Sequence, residues 1–369
     1  MSVLPGPSRV FSLQFEDRPT GLSSYVAPAI KIIDKTYNSV KHFVGFSTNE
    51  TKEEQVDEPN GVTLGYITRS ISDENVDDQS NSQQSNLPTD LNDSQLYLLW
   101  CNKLNSSEAQ LSDYQKLSVQ WKTLLKVQWE HSFALRSFTV SCEAAIEQSH
   151  ILSKSPYDQL SFNVLISLFT FHFSRVPFNS LFIPFLEIII QTFIKSNDGT
   201  DSFIMNDDKT YNLEETSSIC FWAFKTFSEI FLIVPKKKNP IQEMYLGVKT
   251  TLQMISPSTA SMLQKRKINS LDFCSKDINN LFVRDRTLKE SQMYLTALIL
   301  ADDKTRFLQC TLCAVLALMQ ERLEETPEGD INAFQRMFES QLPTIDMKLI
   351  LYNVKNLMGF KEDEEKHEI

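Results

Sequence analysis

Residues 114–124 read YQKLSVQWKTL, the middle of a candidate helix over 111–130. Outward from it the helical pattern continues in both directions. One candidate precedes it at 94–105. Others follow at 133–152, 158–173, 179–196, 214–234, 241–256, 258–267, 272–284, 288–301, 304–325, 329–341 and 345–358. Ser155-Pro156 and Val234-Pro235 punctuate helix ends, Thr326-Pro327 closes a long helix, and Pro343-Thr344 opens the last one. Composition agrees: only 9 of 369 residues are glycine while 25 are phenylalanine. That glycine share, about a third of the usual one, disfavours nucleotide-cradling loops, chains of tight hairpins and Rossmann-type turns. The expected fold class is all-α.

The chain divides into three zones and a tail. Residues 1–46 end in an amphipathic helix, with Val26, Ala29, Ile30, Ile33, Tyr37, Val40 and Val44 at helical spacing and Lys31, Lys35 and Lys41 off that stripe. Two roles stay open for 21–46: docking on the main domain, or peripheral contact with an anionic membrane or a partner. Residues 47–92, rich in Ser, Asn, Asp, Glu and Gln, bury too little apolar surface to offset chain entropy and read as a disordered linker; 61–71 is at most a transient strand. Residues 93–360 form the helical domain, and 361–369 an acidic tail. Lys236, Lys237 and Lys238 follow a helix end, where cations offset the macrodipole; a phospholipid site is the alternative.

A net charge of -11 and a pI of about 5.1 argue against nucleic acid as a partner. The opening MSVLPGPSRVFSLQF has neither a basic nor an apolar signal region, so a cytoplasmic chain with six reduced cysteines is expected. The apolar zone 160–194 is broken by His172, Arg175, Pro177, Asn179, Pro184 and Glu187 into pieces shorter than the ~20 residues of a membrane span, and reads as two core helices. Phosphate-loop, dinucleotide, zinc-protease, nucleophile-elbow and EF-hand motifs are all missing. Cys310-x-x-Cys313 has no second pair and sits in LQCTLCAVLALM, which has the spacing of a buried helix. No cofactor or metal is expected.

The stretch at 114–124 resembles the Y-x-x-LK-x-QWKS segment of the TBC domain family of Rab GTPase-activating proteins. Phe133, Arg136, Ile146 and Glu147 in HSFALRSFTVSCEAAIEQSHILSKS fit the segment that follows in that family. LFIPFL at 181–186, ICFWAFKTFSEI at 219–230 and FCSKDINNLFVRD at 273–285 are similar to three later segments, in the same order. FLQCTLCAVLALMQERL stands where the family has its late core helix. The resemblance spans 96–358 and implies a multi-helix fold that engages Rab-type small GTPases in membrane traffic.

Members supply an arginine and a glutamine in trans to GTP hydrolysis, the arginine being worth about 10³–10⁵ in rate. Counting from Ile146 puts the arginine's companion aspartate at Ser149 and the arginine itself at Leu152. Counting back from Pro184 puts the glutamine at Val176 and its tyrosine at Ser174, and a later Arg-x-Trp-Asp-like stretch is altered to Gln292-Met293-Tyr294-Leu295. Leucine and valine cannot do that chemistry. The expectation is a catalytically degenerate protein, not an enzyme, that binds a Rab-type GTPase or a trafficking complex through Glu147, Ser149, Leu152, Arg175, Val176 and Asn179. Two alternatives remain open: an active protein with displaced groups, such as Lys154, Arg175 or the Asn179 amide, and a purely structural scaffold subunit. Asn179 also suits a plain helix cap. The expected location is cytoplasmic, peripheral on an organelle membrane where 21–46 makes contact.

Overall fold

A computed structural model of the protein describes residues 91–172, 176–197, 201–233, 240–268 and 270–358. The expected N-terminal helix, the linker, the acidic tail and the lysine run at 236–238 lie outside the described residues.

Six helices make the first half: α1 (Asp93–Lys103), α2 (Leu111–Val127), α3 (Phe133–Gln148), α4 (Tyr157–Phe171), α5 (Phe182–Phe193) and α6 (Leu213–Phe231). The second half holds α7 (Pro240–Ile255), α8 (Pro257–Lys265), the short α9 (Ser275–Asn279), α10 (Leu288–Leu300), α11 (Lys304–Leu318), the short α12 (Gln320–Glu324), α13 (Ile331–Gln341) and α14 (Met347–Met358). The all-α reading holds.

Each half is organised on a helix that is apolar all round, the pattern of a helix enclosed by others. In α4 every residue from 164 to 170 is buried, and α2, α3 and α6 pack on it. In α11 every residue from 307 to 317 is buried, between α7 and α14. The halves meet where α10 packs on α1 and α5, and one continuous apolar core runs through both. Local chemistry sets several helix starts. Asn92 with Gln95, Asn212 with Glu215 and Thr287 with Glu290 form reciprocal capping boxes at the heads of α1, α6 and α10.

Three departures from the sequence reading stand out. A three-stranded antiparallel sheet, β1 (Ile194–Asn197), β2 (Ser202–Met205) and β3 (Thr210–Asn212), occupies ground read as helix and loop. In β2 the buried Phe203 and Met205 alternate with half-buried side chains, and the Phe203 ring meets Tyr157 edge-on at 5.8 Å. The expected helix 272–284 stops at Asn279. Leu281 and Phe282 then take left-handed backbone angles (φ 48 and 57), a costly conformation held by two fully buried side chains. The expected helix 304–325 breaks at Met319 into α11 and α12.

Candidate functional site

The positions singled out by counting lie on two connections beside α3 and α5. The first is the turn after α3. Ser149 leaves helical geometry (φ -77, ψ 135), and its own N–H still donates to the Ile146 carbonyl at 3.0 Å. Its hydroxyl accepts from the N–H groups of Ile151 (3.3 Å) and Leu152 (3.0 Å) and donates to Glu187 Oε2 at 2.8 Å. One donor and two lone pairs are thereby all in use. The turn folds Leu152 inward, where it is fully buried. Glu147, His150 and Lys154 face solvent. The leucine at the counted arginine position is therefore a core residue, and the exposed cation of this turn is Lys154.

The second connection joins α4 to α5. Val176 is buried, at 7% exposure. Phe178 fixes the loop to the domain, its ring 5.9 Å from Phe138 of α3 and 6.0 Å from Phe182 of α5. Asn179 turns the chain towards α5, two residues ahead of the N-cap Leu181: its side-chain oxygen accepts from the Leu181 N–H at 3.0 Å and its carbonyl from the Phe182 N–H at 2.9 Å. The two Nδ2 hydrogens take no part in that turn. Ser174 and Arg175 fall outside the described residues.

The structure joins Ser149 and Leu152 in one turn but sets that turn apart from the second loop. Phe178 lies against Phe138, whereas Ser149 meets Glu187. Positions 138 and 149 are separated by about 16 Å of helix rise. Each connection meets the helix across from it at one point, Phe178 on Phe138 of α3 and Ser149 on Glu187 of α5.

Two contributors escaped the sequence reading. Glu187 is the partner of Ser149; its signal was a lone carboxylate in the apolar run FIPFLEIII, noted only as an interruption. The other is a cluster at the end of α4. There Lys225 pairs with Glu229 at 2.9 Å, lies 4.6 Å from the Phe171 ring centre, and Glu229 approaches His172 Nε2 at 3.5 Å. Burial holds the His172 imidazole below its ordinary range; Glu229 pulls the other way and Lys225 adds to the lowering. The Lys225–Glu229 spacing was legible in the sequence. Its meeting with His172 was not.

Elsewhere the polar groups brace the core. Gln292 donates to Thr192 Oγ1 at 3.0 Å, and the buried Tyr294 hydroxyl donates to Thr311 Oγ1 at 3.1 Å. A cavity of about 340 Å³ lined by Tyr97, Leu98, Cys101, Glu108 and Lys209 offers little chemistry. Burial pushes the Cys101 thiol up to about 12, and Lys209 is already paired with Glu108 at 2.6 Å. All six cysteines are free, and five are buried. Among the described residues, no helix is long and apolar enough to cross a membrane, and no group of three or more His, Cys, Asp or Glu side chains is placed to hold a metal ion.

No protein-family model matches the chain, and no curated protein matches it in sequence. A likeness appears in three dimensions. The fold is similar to that of the crystal structure of the Chlamydomonas flagellar RabGAP TBC domain, with a TM-score of 0.51 and 12% identity, over 73% of this chain and 81% of that one. At that identity the likeness is one of fold: the chain has a TBC-like, all-α architecture. This corrects one expectation. The assignment of the chain as no enzyme does not stand, because a solved protein with a similar fold is a RabGAP. That assignment rested on residue types at counted positions, which say nothing about polar groups displaced from them.

Proposed function

We propose that this chain binds and regulates a small GTPase of the Rab type, meeting it along the α3–α5 face between the 149–154 turn and the 176–180 loop. One observation carries the reading: the TBC-like fold extends over 73% of the chain and matches a RabGAP domain. The collinear resemblance at 96–358 supports it from the sequence side. A role in membrane traffic follows from that class of partner.

Activation of GTP hydrolysis belongs to the same proposal. The reaction needs the attacking water held in line and the charge developing on the phosphates offset. At the two connections the described groups suited to such tasks are the Asn179 amide and the exposed Lys154 ammonium. Both are displaced from the counted positions, so the activity would use a changed arrangement with a smaller rate gain than an arginine gives.

The test is capture of a panel of Rab-type GTPases, loaded with GDP or a non-hydrolysable GTP analogue, followed by single-turnover phosphate release. Retention of a GTPase in one nucleotide state, weakened by Lys154→Glu, supports the reading. No GTPase retained in either state would sink it. For the catalytic part, rates that are equal with and without the chain, across every GTPase it binds, decide against activation.

A further inference from the structure

The corner where α2 ends and α3 begins combines basic charge with exposed apolar side chains. Val119, Val127 and Phe133 are 65%, 66% and 61% exposed, unusually open for large apolar residues in this chain. Val119 and Val127 lie two turns apart on the outward face of α2, opposite the buried Tyr114, Leu117, Trp121 and Leu125. The turn between the helices is closed by the N–H of Ser132 donating to the Gln128 carbonyl at 2.9 Å, which brings Phe133 back beside the end of α2. Trp129 lies half-buried against the core within that turn.

Charge singles out the same corner. From 115 to 136 the chain carries Lys116, Lys122, Lys126 and Arg136 against one acid, Glu130, while the whole chain has a net charge of -11. Lys116 is paired with Asp113 at 2.8 Å. Lys122, Lys126 and Arg136 are exposed and form no ion pair among the described residues. Lys122 lies 5.4 Å from the Trp121 ring centre, a cation held on an aromatic at the surface.

We propose that this corner docks the protein on an anionic lipid bilayer. Phe133, Val119 and Val127 would enter the headgroup boundary, and Lys122, Lys126 and Arg136 would face the lipid phosphates and carboxylates. Charge complementarity selects that occupant: an acidic protein is repelled by an anionic surface everywhere except at a local basic patch. Long basic side chains around exposed apolar ones suit a flat, deformable surface, since the aliphatic stems lie along apolar groups while the charges stay in water. The inference is independent of the GTPase reading.

The test uses the full chain with phosphatidylcholine–phosphatidylserine vesicles against pure phosphatidylcholine vesicles, in a co-sedimentation assay at rising salt. Binding is expected only to the anionic vesicles, falling as salt rises. At about 1 kcal/mol for each basic residue near the surface, Lys122→Ala with Lys126→Ala should weaken it about thirty-fold. Phe133→Ser should weaken it with no change of charge, and circular dichroism should show both variants folded. A second variant, with Lys31, Lys35 and Lys41 changed to Ala, separates the N-terminal segment. Binding lost there but untouched by the corner substitutions overturns the proposal, as does no binding to anionic vesicles. Corner variants that keep vesicle binding but lose capture of a Rab-type GTPase overturn it too, by making the corner a protein contact.

Discussion

Two connections in this molecule handle polarity in opposite ways. After α3, the turn at 149–156 anchors itself with one neutral hydroxyl, Ser149, and leaves His150 and Lys154 in solvent. Around the α9–α10 connection, by contrast, Asp277 of α9 and Arg286 are buried ions, although Asp285 stays exposed. The fully buried carboxyl of Asp277 lies 3.0 Å from Arg284 Nε, and the fully buried Arg286 side chain donates to the carbonyls of Leu342 (2.6 Å), Pro343 (3.2 Å) and Ile345. Ions enclosed like this are out of reach of a partner and are costly unless the fold compensates them. The difference teaches that a buried ion commits its charge to the fold, whereas the α3 turn keeps an exposed cation, which is why the proposed GTPase contact is put there.

The comparison breaks first at Arg286. Arg286→Leu removes the side-chain donor of the Pro343 and Ile345 carbonyls, leaves Leu342 only the Ile345 N–H at 3.4 Å, and should cost about 3–5 kcal/mol in urea unfolding. A loss below about 1 kcal/mol would mean that the buried ions do not hold the second half together.

Asp277 comes next. Burial pushes its carboxyl up to about 6, against the pull of Arg284, with Glu339 raising it further. A folded pKa above the unfolded one makes the native state hold the proton longer. The stabilisation is full below about 4 and is lost as pH rises through about 6. Unfolding measured across that window should show stability falling by on the order of 2 kcal/mol from this group, and Asp277→Asn should flatten the slope. An unchanged slope in the variant would assign it elsewhere.

Ser149→Ala is expected to cost less, about 1–2 kcal/mol, by stranding the buried Leu152 N–H and depriving Glu187 of a donor. Lys154→Ala sharpens the contrast from the other side. It should change stability by less than about 0.5 kcal/mol and yet weaken capture of a Rab-type GTPase. A variant that instead melts early with capture intact would make Lys154 structural.

Legibility in the sequence was uneven for physical reasons. α4 and α11 were visible because helices apolar on every side signal their own burial, whatever encloses them. The helix-cap reading of Asn179 was two residues off: the N-cap of α5 is Leu181, and the Asn179 side chain instead closes a turn on the Leu181 N–H just before it. The end of α3 was not visible. The pattern ran on to 152, yet the helix stops at Gln148, because the Ser149 hydroxyl takes its hydrogen bonds from the turn and gives one to a carboxylate 38 positions away. The sheet at 194–212 was hidden in the same manner: its strands are three or four residues long, too short for a period to show.

What the sequence determined by itself was the all-α class, most helix positions and the existence of two buried helices, all of which follow from contacts within a turn or two. The tertiary structure alone decided that Leu152 and Val176 point into the core, that Ser149 is tied to Glu187, and that Lys154 stays in solvent. Local periodicity tells a side chain whether to be buried. Which polar group it meets, and which is left facing solvent, depends on helices that come together only when the chain folds.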